Sequence, residues 1–291
     1  MAEHSSVPLA DEVALESLRI ERGKRVSQLP WWFLAMILIA VWTGYTIYTR
    51  DNYQEAFGRI YSGLTITITT SLIAYSIALV LGLLAGLGRI SRNIMLNNLS
   101  KLYIELVRGI PMLVLIFFIA LVGVPIVVDG INGLGKWFDG HGLTALGAIL
   151  TSMQNQAISM NVRAIIALAV TYGAFLAEIF RAGIQSIGRG QMEAARSLGM
   201  GYGQAMRYVI LPQAIRNVLP ALGNDFVAMV KDSSLVSVLA VRDITQLARL
   251  YAGSTFRFRE AYVTLSVLYL TMTVALSIVV QFVERRLRQD D

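Results

Sequence analysis

Apolar residues along this 291-residue chain fall into long blocks and do not alternate with polar ones. Six blocks, 31–49, 64–87, 102–128, 164–187, 218–241 and 262–283, lie near or above the roughly 20 residues that a helix needs to cross a bilayer. None shows the period-two alternation of a membrane barrel strand. A helix satisfies its own backbone hydrogen bonds in hydrocarbon, so blocks of this length predict helices. The expected fold is therefore an all-α integral membrane protein with about six transmembrane helices.

The stretches between the blocks divide the chain further. Residues 1–30 form a polar tail whose weakly amphipathic piece, 9–20, reads either as a surface helix or as plain tail. Residues 31–60 supply a first helix and a short loop, 61–286 the main transmembrane domain, and 287–291 a second tail. Trp31 and Trp32 suit the headgroup layer at the first boundary. In the second block Gly82 and Gly86, four apart, let another helix approach closely. The third and fourth blocks are separated by a long insertion, 129–163, rich in Gly and Asn, and the fourth and fifth by a mixed segment, 189–212. No repeat of 20–50 residues is present.

Lys and Arg placement sets the orientation. Thirteen of them lie in 1–30, in the loop after the second block, in 189–212 and at the C-terminal end; eight lie on the other side. Positive flanks stay in the cytoplasm, so both termini and 189–212 are expected there, and the insertion outside.

Composition agrees and excludes several classes. Apolar residues make up 55% and charged ones 15%, far from a soluble mix. The first block is expected to stay as an anchor, because some 30 polar residues precede it and Arg50 follows without a cleavage pattern. There is no cysteine for a disulfide or thiolate site. The net charge of +6 resides largely in the flanks and calls for no nucleic acid.

GINGLGKW, 130–137, imitates a phosphate loop but puts Trp137 where magnesium needs Ser or Thr, and it lies on the expected outer face. His4 and His141 fall in different compartments, so no metal site is expected between them. No nucleophile, zinc-protease or paired-carboxylate motif appears, and the chain reads as a non-enzyme.

The mixed segment MEAARSLGMGYGQAMRYVILPQAI, 192–215, carries the most information. Residues 191–198 suit a short helix, with Gly199 able to end it in the left-handed conformation. Gly201 and Gly203 allow a sharp turn, and Pro212 suits the first turn of the next helix. Ala194 and Ala195 give this helix a bare surface beside Glu193 and Arg196. Such a surface fits either a groove on another protein or the lipid headgroups.

Glu193-Ala194-Ala195, then Gly199, Val209 and Leu211-Pro212, resemble the EAA motif of ATP-binding cassette (ABC) importer permeases; only Val209 departs, with Ile usual there. YIELVRGIPMLV (103–114), TYGAFLAEIFRAGIQSI (171–187), LPQAIRNVLPALGNDF (211–226) and KDSSLVSV (231–238) resemble the polar amino acid branch, the histidine and glutamine permease type. The likeness covers roughly 63–286, so the first helix and the insertion lie outside the usual core. It implies a type I ABC importer transmembrane domain in a bacterial inner membrane, with 190–203 as a cytoplasmic coupling helix.

Glu193, Ala194, Ala195, Gly199, Leu211 and Pro212 would then be the ATPase-coupling positions. The resemblance also implies a separate ATPase subunit holding ATP and magnesium, a second permease subunit, an external solute-binding protein and an amino acid substrate. This chain itself would bind no cofactor. The rival class is a secondary transporter driven by an ion gradient, against which stand the EAA match and the lack of an inverted repeat.

Charges within the blocks are the remaining candidates, since they cost about 2.5–3.5 kcal/mol each at a helix centre. Glu105 with Arg108, and Glu178 with Arg181, are spaced to pair on one helix face, as structural bridges or as pathway lining. Lys231 and Asp232, adjacent and so about 100° apart on a helix, head a run with Ser233 and Ser234. That run is expected to be irregular and to border a polar cavity, with Lys231 toward a substrate carboxylate and Asp232 toward its ammonium.

Overall fold

The structure, a computed structural model, describes residues 31–288. The expectations for the tail 1–30 with His4, for the Trp31 and Trp32 side chains and for 289–291 lie outside the described residues. Within them every regular element is helical: α1 Trp31–Thr49, α2 Asp51–Tyr61, α3 Leu64–Arg89, α4 Ile94–Gly109, α5 Met112–Phe118, α6 Val124–Gly140, α7 Thr144–Thr151, α8 Met160–Ser186, α9 Arg189–Ser197, α10 Tyr202–Ala205, α11 Leu211–Asp232, α12 Ile244–Thr255 and α13 Phe258–Arg288. The chain forms two compact units, one ending at Gln54 and the other starting at Glu55. Among the described residues four stretches are long and apolar enough to cross a membrane: Asp51–Arg89, Met112–Gly140, Met160–Ser186 and Phe258–Arg286.

Glycines set the helix crossings of the larger unit. A β-carbon on Gly82 would lie 2.6 Å from Leu176 Cβ, and one on Gly86 2.8 Å from the Ala177 carbonyl, so α3 and α8 meet almost backbone to backbone. The expected close approach at Gly82 and Gly86 is thus real, with α8 as the partner. A Gly183 β-carbon would run into Val218 of α11, and one on Gly223 of α11 would run into Val280 of α13. In lipid, where apolar burial drives little association, such small-residue contacts let dispersion forces hold helices together. Around them Ala74, Ala78, Leu168, Tyr172, Leu176, Met229 and Val236 form the main core.

Prolines decide where the expected helices break. The block 102–128 is not one helix: α4 ends at Gly109, Ile110 before Pro111 is extended (φ −104°, ψ 136°), and α5 begins at Met112. A residue before proline is disfavoured in the helical region, which is the cause. Two π-turns, Ile119–Gly123 and Met206–Ile210, each end two residues before a proline, Pro125 and Pro212. Proline lacks the N–H and its ring crowds the carbonyl four back; widening the turn relieves the clash. Pro212 sits in the first turn of α11, as expected, and that helix continues a helical run that starts at Tyr202 and passes through the π-turn.

The first π-turn has a specific consequence. Its i+5 pattern pairs the Ala120 carbonyl with position 125, where proline offers no donor. Arg163, only 7% exposed, supplies one: its Nη1 donates to the Ala120 carbonyl at 3.0 Å. Its other nitrogens donate to the Ile158 carbonyl and to both oxygens of Asn155. This arginine, counted among the outer charges, is an internal bolt between α8 and the π-turn.

The insertion 129–163 is largely helical. α6 and α7 form a hairpin, and α8 begins at Met160. Because the hairpin precedes α8 and α9 follows it, the two lie at opposite ends of that 27-residue helix. The block 218–241 also stops short: α11 ends at Asp232, a 3₁₀ stretch covers Ser233–Leu239, and Ala240 is left-handed (φ 57°).

Gly82→Ala is expected to lower thermal stability by on the order of 2 kcal/mol through forced separation of α3 and α8. Gly58→Ala, where a β-carbon meets nothing within 4 Å, should leave stability unchanged or slightly raised. Monodisperse elution after heating in detergent measures both.

Candidate functional site

α9 stands on the bundle by one face. Met192 packs against Ile184, Ile210 and Ala214, and Ala195, three residues on, is buried, while Glu193, Ala194 and Ser197 are exposed. Gly199 adopts the left-handed conformation expected of it (φ 84°). The Gly199 amide donates to the Arg196 carbonyl and the Met200 amide to that of Ala195, the paired bonds of a Schellman stop. That stop leaves Leu198 81% exposed beside Ala194. An acidic residue, a bare alanine and a projecting leucine thus share the uncovered side of this one-sided helix. Leu198 escaped the sequence reading, although its place four residues after Ala194 put it on the same face.

Leu211 and Pro212 sit elsewhere. Leu211 packs into the cluster of Ile184, Ile210 and Met192 beneath α9, and Pro212 shapes the π-turn before α11. They brace the support of α9 and lie outside its exposed face. Arg92, 5.8 Å from the centre of the Tyr202 ring, ties the α3–α4 loop to the segment after α9.

Lys231 and Asp232 point apart. Asp232 accepts a 2.7 Å hydrogen bond from the Tyr172 hydroxyl of α8, whereas Lys231 is exposed. Ser233 is buried and donates to the Val230 carbonyl; Ser234 is half-buried. The run is irregular as expected, but within this chain it builds no single cradle for both ends of a zwitterion. A cavity beside it, 570 Å³ and lined by Phe226, Val230, Leu268 and Met272 among others, is apolar. Seven residues before Asp232, on the same face of α11, lies Asp225, within electrostatic range of Tyr75, Tyr172 and Asp232. Tyr75 donates to the Leu222 carbonyl at 2.5 Å and packs on Phe226. Asp225, Asp232, Tyr75 and Tyr172 thus lie within electrostatic range of one another where α3, α8 and α11 meet, with the Tyr172–Asp232 hydrogen bond as the direct contact. The seven-residue spacing was the signal for Asp225.

The two i, i+3 pairs differ. Arg181 donates from Nε and Nη2 to one Glu178 oxygen at 2.8 and 2.7 Å, and from Nη1 to Gln185, forming a structural bridge along α8. Glu105 and Arg108 form no ion pair, contrary to expectation. Arg108 lies 5.7 Å from the Phe175 ring centre instead, drawn to the ring face of α8.

Beyond the 3₁₀ stretch, Asp243 caps α12, accepting from the Gln246 amide at 2.8 Å. It is 1% exposed, its Oδ2 is buried without a hydrogen bond, and its backbone abuts Gly63 at the start of α3. Burial pushes its carboxyl up to about 6, against the opposing pull of the Gln246 and Thr245 amides.

The described bundle thus combines apolar helices long enough to cross a membrane with a one-sided helix closed by a glycine stop. The chain belongs to the family described as "Binding-protein-dependent transport system inner membrane component", which it matches over residues 78–289. It is 38% identical over 235 residues to the "Probable glutamine ABC transporter permease protein" of Bacillus subtilis (81% of this chain, 96% of that one). It is 30% identical over 226 residues to the "Glutamine transport system permease protein" of Escherichia coli K12 (78% and 91%). Among solved structures, one described as an amino acid ABC transporter with histidines superposes with a TM-score of 0.62 at 37% identity, covering 80% of this chain and 95% of that one. An inward-facing methionine ABC transporter, 22% identical, shares the fold at a TM-score of 0.51, covering 79% and 94%. The fold is that of a type I ABC importer transmembrane domain, and the chain is a transport permease.

The raised Asp243 carboxyl makes stability depend on pH. The folded state holds its proton more tightly than the unfolded chain, so stability is greatest below the unfolded value near 4 and is lost as pH rises to about 6. The expected loss is about 3 kcal/mol. Thermal melts across this window should show the decline in the parent, and Asp243→Asn, which keeps the cap acceptor, should abolish it.

Proposed function

We propose that this chain is the permease subunit of an ATP-driven importer of polar amino acids, seated in a bacterial inner membrane with both termini and α9 in the cytoplasm. It pairs with a second permease subunit, receives substrate from an external solute-binding protein, and is driven by a separate ATPase that holds the ATP and magnesium. The observation that carries this reading is α9, whose exposed Glu193, Ala194 and Leu198 form a rigid face. The glutamine and amino acid transport named for its relatives supports the substrate class.

On this reading coupling is a two-state process. ATP-driven closure of the partner moves α9, and the Schellman stop at Gly199 keeps the helix from fraying under that load. The displacement passes through Met192 and Ala195 to the ends of α8 and α11, which cross at Gly183 and Val218. One arrangement of the helix pair is favoured over the other by whatever differential affinity the partner supplies. Within the membrane, Asp225 and Asp232 with Tyr75 and Tyr172 offer an anionic, hydrogen-bonding strip suited to a substrate ammonium. Lys231, exposed on the other side of α11, is available to a substrate carboxylate or to the second permease.

ATP hydrolysis that copurifies with the tagged chain should fall about tenfold in Glu193→Lys, equivalent to ~1.4 kcal/mol of docking. Hydrolysis that never copurifies, together with uptake that follows an ion gradient, would overturn the ATP-driven reading. In proteoliposomes containing the whole complex, Asp232→Asn should lower uptake about tenfold through loss of a charged hydrogen-bond acceptor, with hydrolysis retained. Normal uptake by that variant removes the strip from the pathway.

A further inference from the structure

The α6–α7 hairpin takes no part in α9 or in the strip on α11, yet it is built with care. A β-carbon on Gly135 would lie 2.8 Å from Thr151 Cγ2 and 3.0 Å from the Gly147 carbonyl; one on Gly147 would lie 2.9 Å from that of Gly135. The two short helices therefore touch along their backbones. The turn between them is a second Schellman stop, with Gly142 left-handed (φ 86°), its amide on the Asp139 carbonyl and the Leu143 amide on that of Phe138. Asn132 donates across to the Met153 carbonyl. These contacts make the hairpin a rigid unit.

Its outer surface is apolar in stripes. On α6, Val127, Leu134 and Trp137 recur at helical spacing and are all exposed, Trp137 at 55%. Asp129 and Lys136, seven apart, share a different face of the same helix. On α7, Leu146 and Ile149 are exposed, Ile149 at 68%. Water would penalise such exposure, and no other described residue of this chain covers it.

Position shows what does. Arg163, near the start of the 27-residue α8, bonds the Ala120 carbonyl, so the bundle ends close to Ala120. The residues of α6 that follow lie beyond the ~30 Å hydrocarbon layer. Those residues carry Leu134 and Trp137, and α7, about 12 Å long, turns back toward the membrane from there. The Trp137 indole, packed 4.1 Å from the His141 ring, combines an apolar body with an N–H donor, the combination that settles at the headgroup layer.

We infer that the α6–α7 hairpin is a lipid-docking element that lies in the headgroup layer of the leaflet opposite α9, burying its two apolar stripes at the acyl boundary. It braces the end of the bundle where Arg163 bolts α8 to the π-turn. The inference rests on the membrane fold and is independent of what is transported.

The chain has no cysteine, so single cysteines can be labelled without background. The test places a nitroxide at Leu134→Cys, Ile149→Cys or Lys136→Cys in the full-length chain, in vesicles of phosphatidylethanolamine and phosphatidylglycerol. Collision with oxygen, concentrated in lipid, is compared with collision with a water-soluble nickel chelate. At positions 134 and 149 oxygen collisions should exceed nickel collisions several-fold, and at 136 the order should reverse. Free access of nickel to all three positions would show that the hairpin stands in water, and overturn the proposal. Protection of 134 and 149 from both reagents would show that protein covers the stripes and would overturn it equally. Ile149, on the second helix, gives an independent reading should a label at 134 disturb the first.

Discussion

Where α3 crosses α8, Gly82 and Gly86 stand against Gly173, Leu176 and Ala177 with no room for a β-carbon. In a bilayer the solvent is as apolar as the side chains, so helices associate by close contact and by satisfied polar groups. This crossing supplies the first, and two further glycine crossings extend it from α8 to α11 and from α11 to α13. Every functional feature hangs on that series. The Tyr172–Asp232 bond joins α8 to α11, α9 rests on the cluster where those helices end, and Asp243 is wedged against Gly63 at the start of α3.

Satisfying the backbone is the second constraint, and prolines concentrate its effects. Each π-turn relieves a proline clash but leaves a carbonyl with no amide to accept. At Ala120 the deficit is met by Arg163, a charge buried without a carboxylate because it is fully used by backbone and amide oxygens. At Met206–Ile210 the widened turn lies just after the α9 stop, so the segment linking α9 to α11 is irregular. The break at Ile110–Pro111 likewise separates α4 from α5. These three irregularities follow proline, whereas the 3₁₀ stretch Ser233–Leu239 has no proline beside it.

Much of this was legible in the residue pattern. Long apolar blocks, the absence of strand periodicity and the EAA spacing pointed to a helical permease, and Gly199 was read as a left-handed stop from its place after a short helix. The Gly82 and Gly86 pair signalled a close contact, though not with which helix. Less legible were features that depend on a partner distant in sequence. Arg163 looked like an outer charge because its acceptor, the Ala120 carbonyl, lies 43 residues away. Glu105 and Arg108 have the spacing of an ion pair, but the Phe175 ring on another helix claims the arginine.

The sequence by itself determined membrane residence, helical class and the short helix with its glycine stop, because hydropathy, backbone self-satisfaction and glycine stops act over one or two turns. Only the tertiary structure decided how Lys231 and Asp232 diverge, that Asp225 joins Asp232 beside two tyrosines, and that the insertion is a rigid hairpin with apolar stripes. Those outcomes depend on which helix faces meet, and that is set by β-carbon clearance at Gly82, Gly183, Gly223 and Gly135. Such contacts are steric and distant along the chain, so no local pattern of residues encodes them.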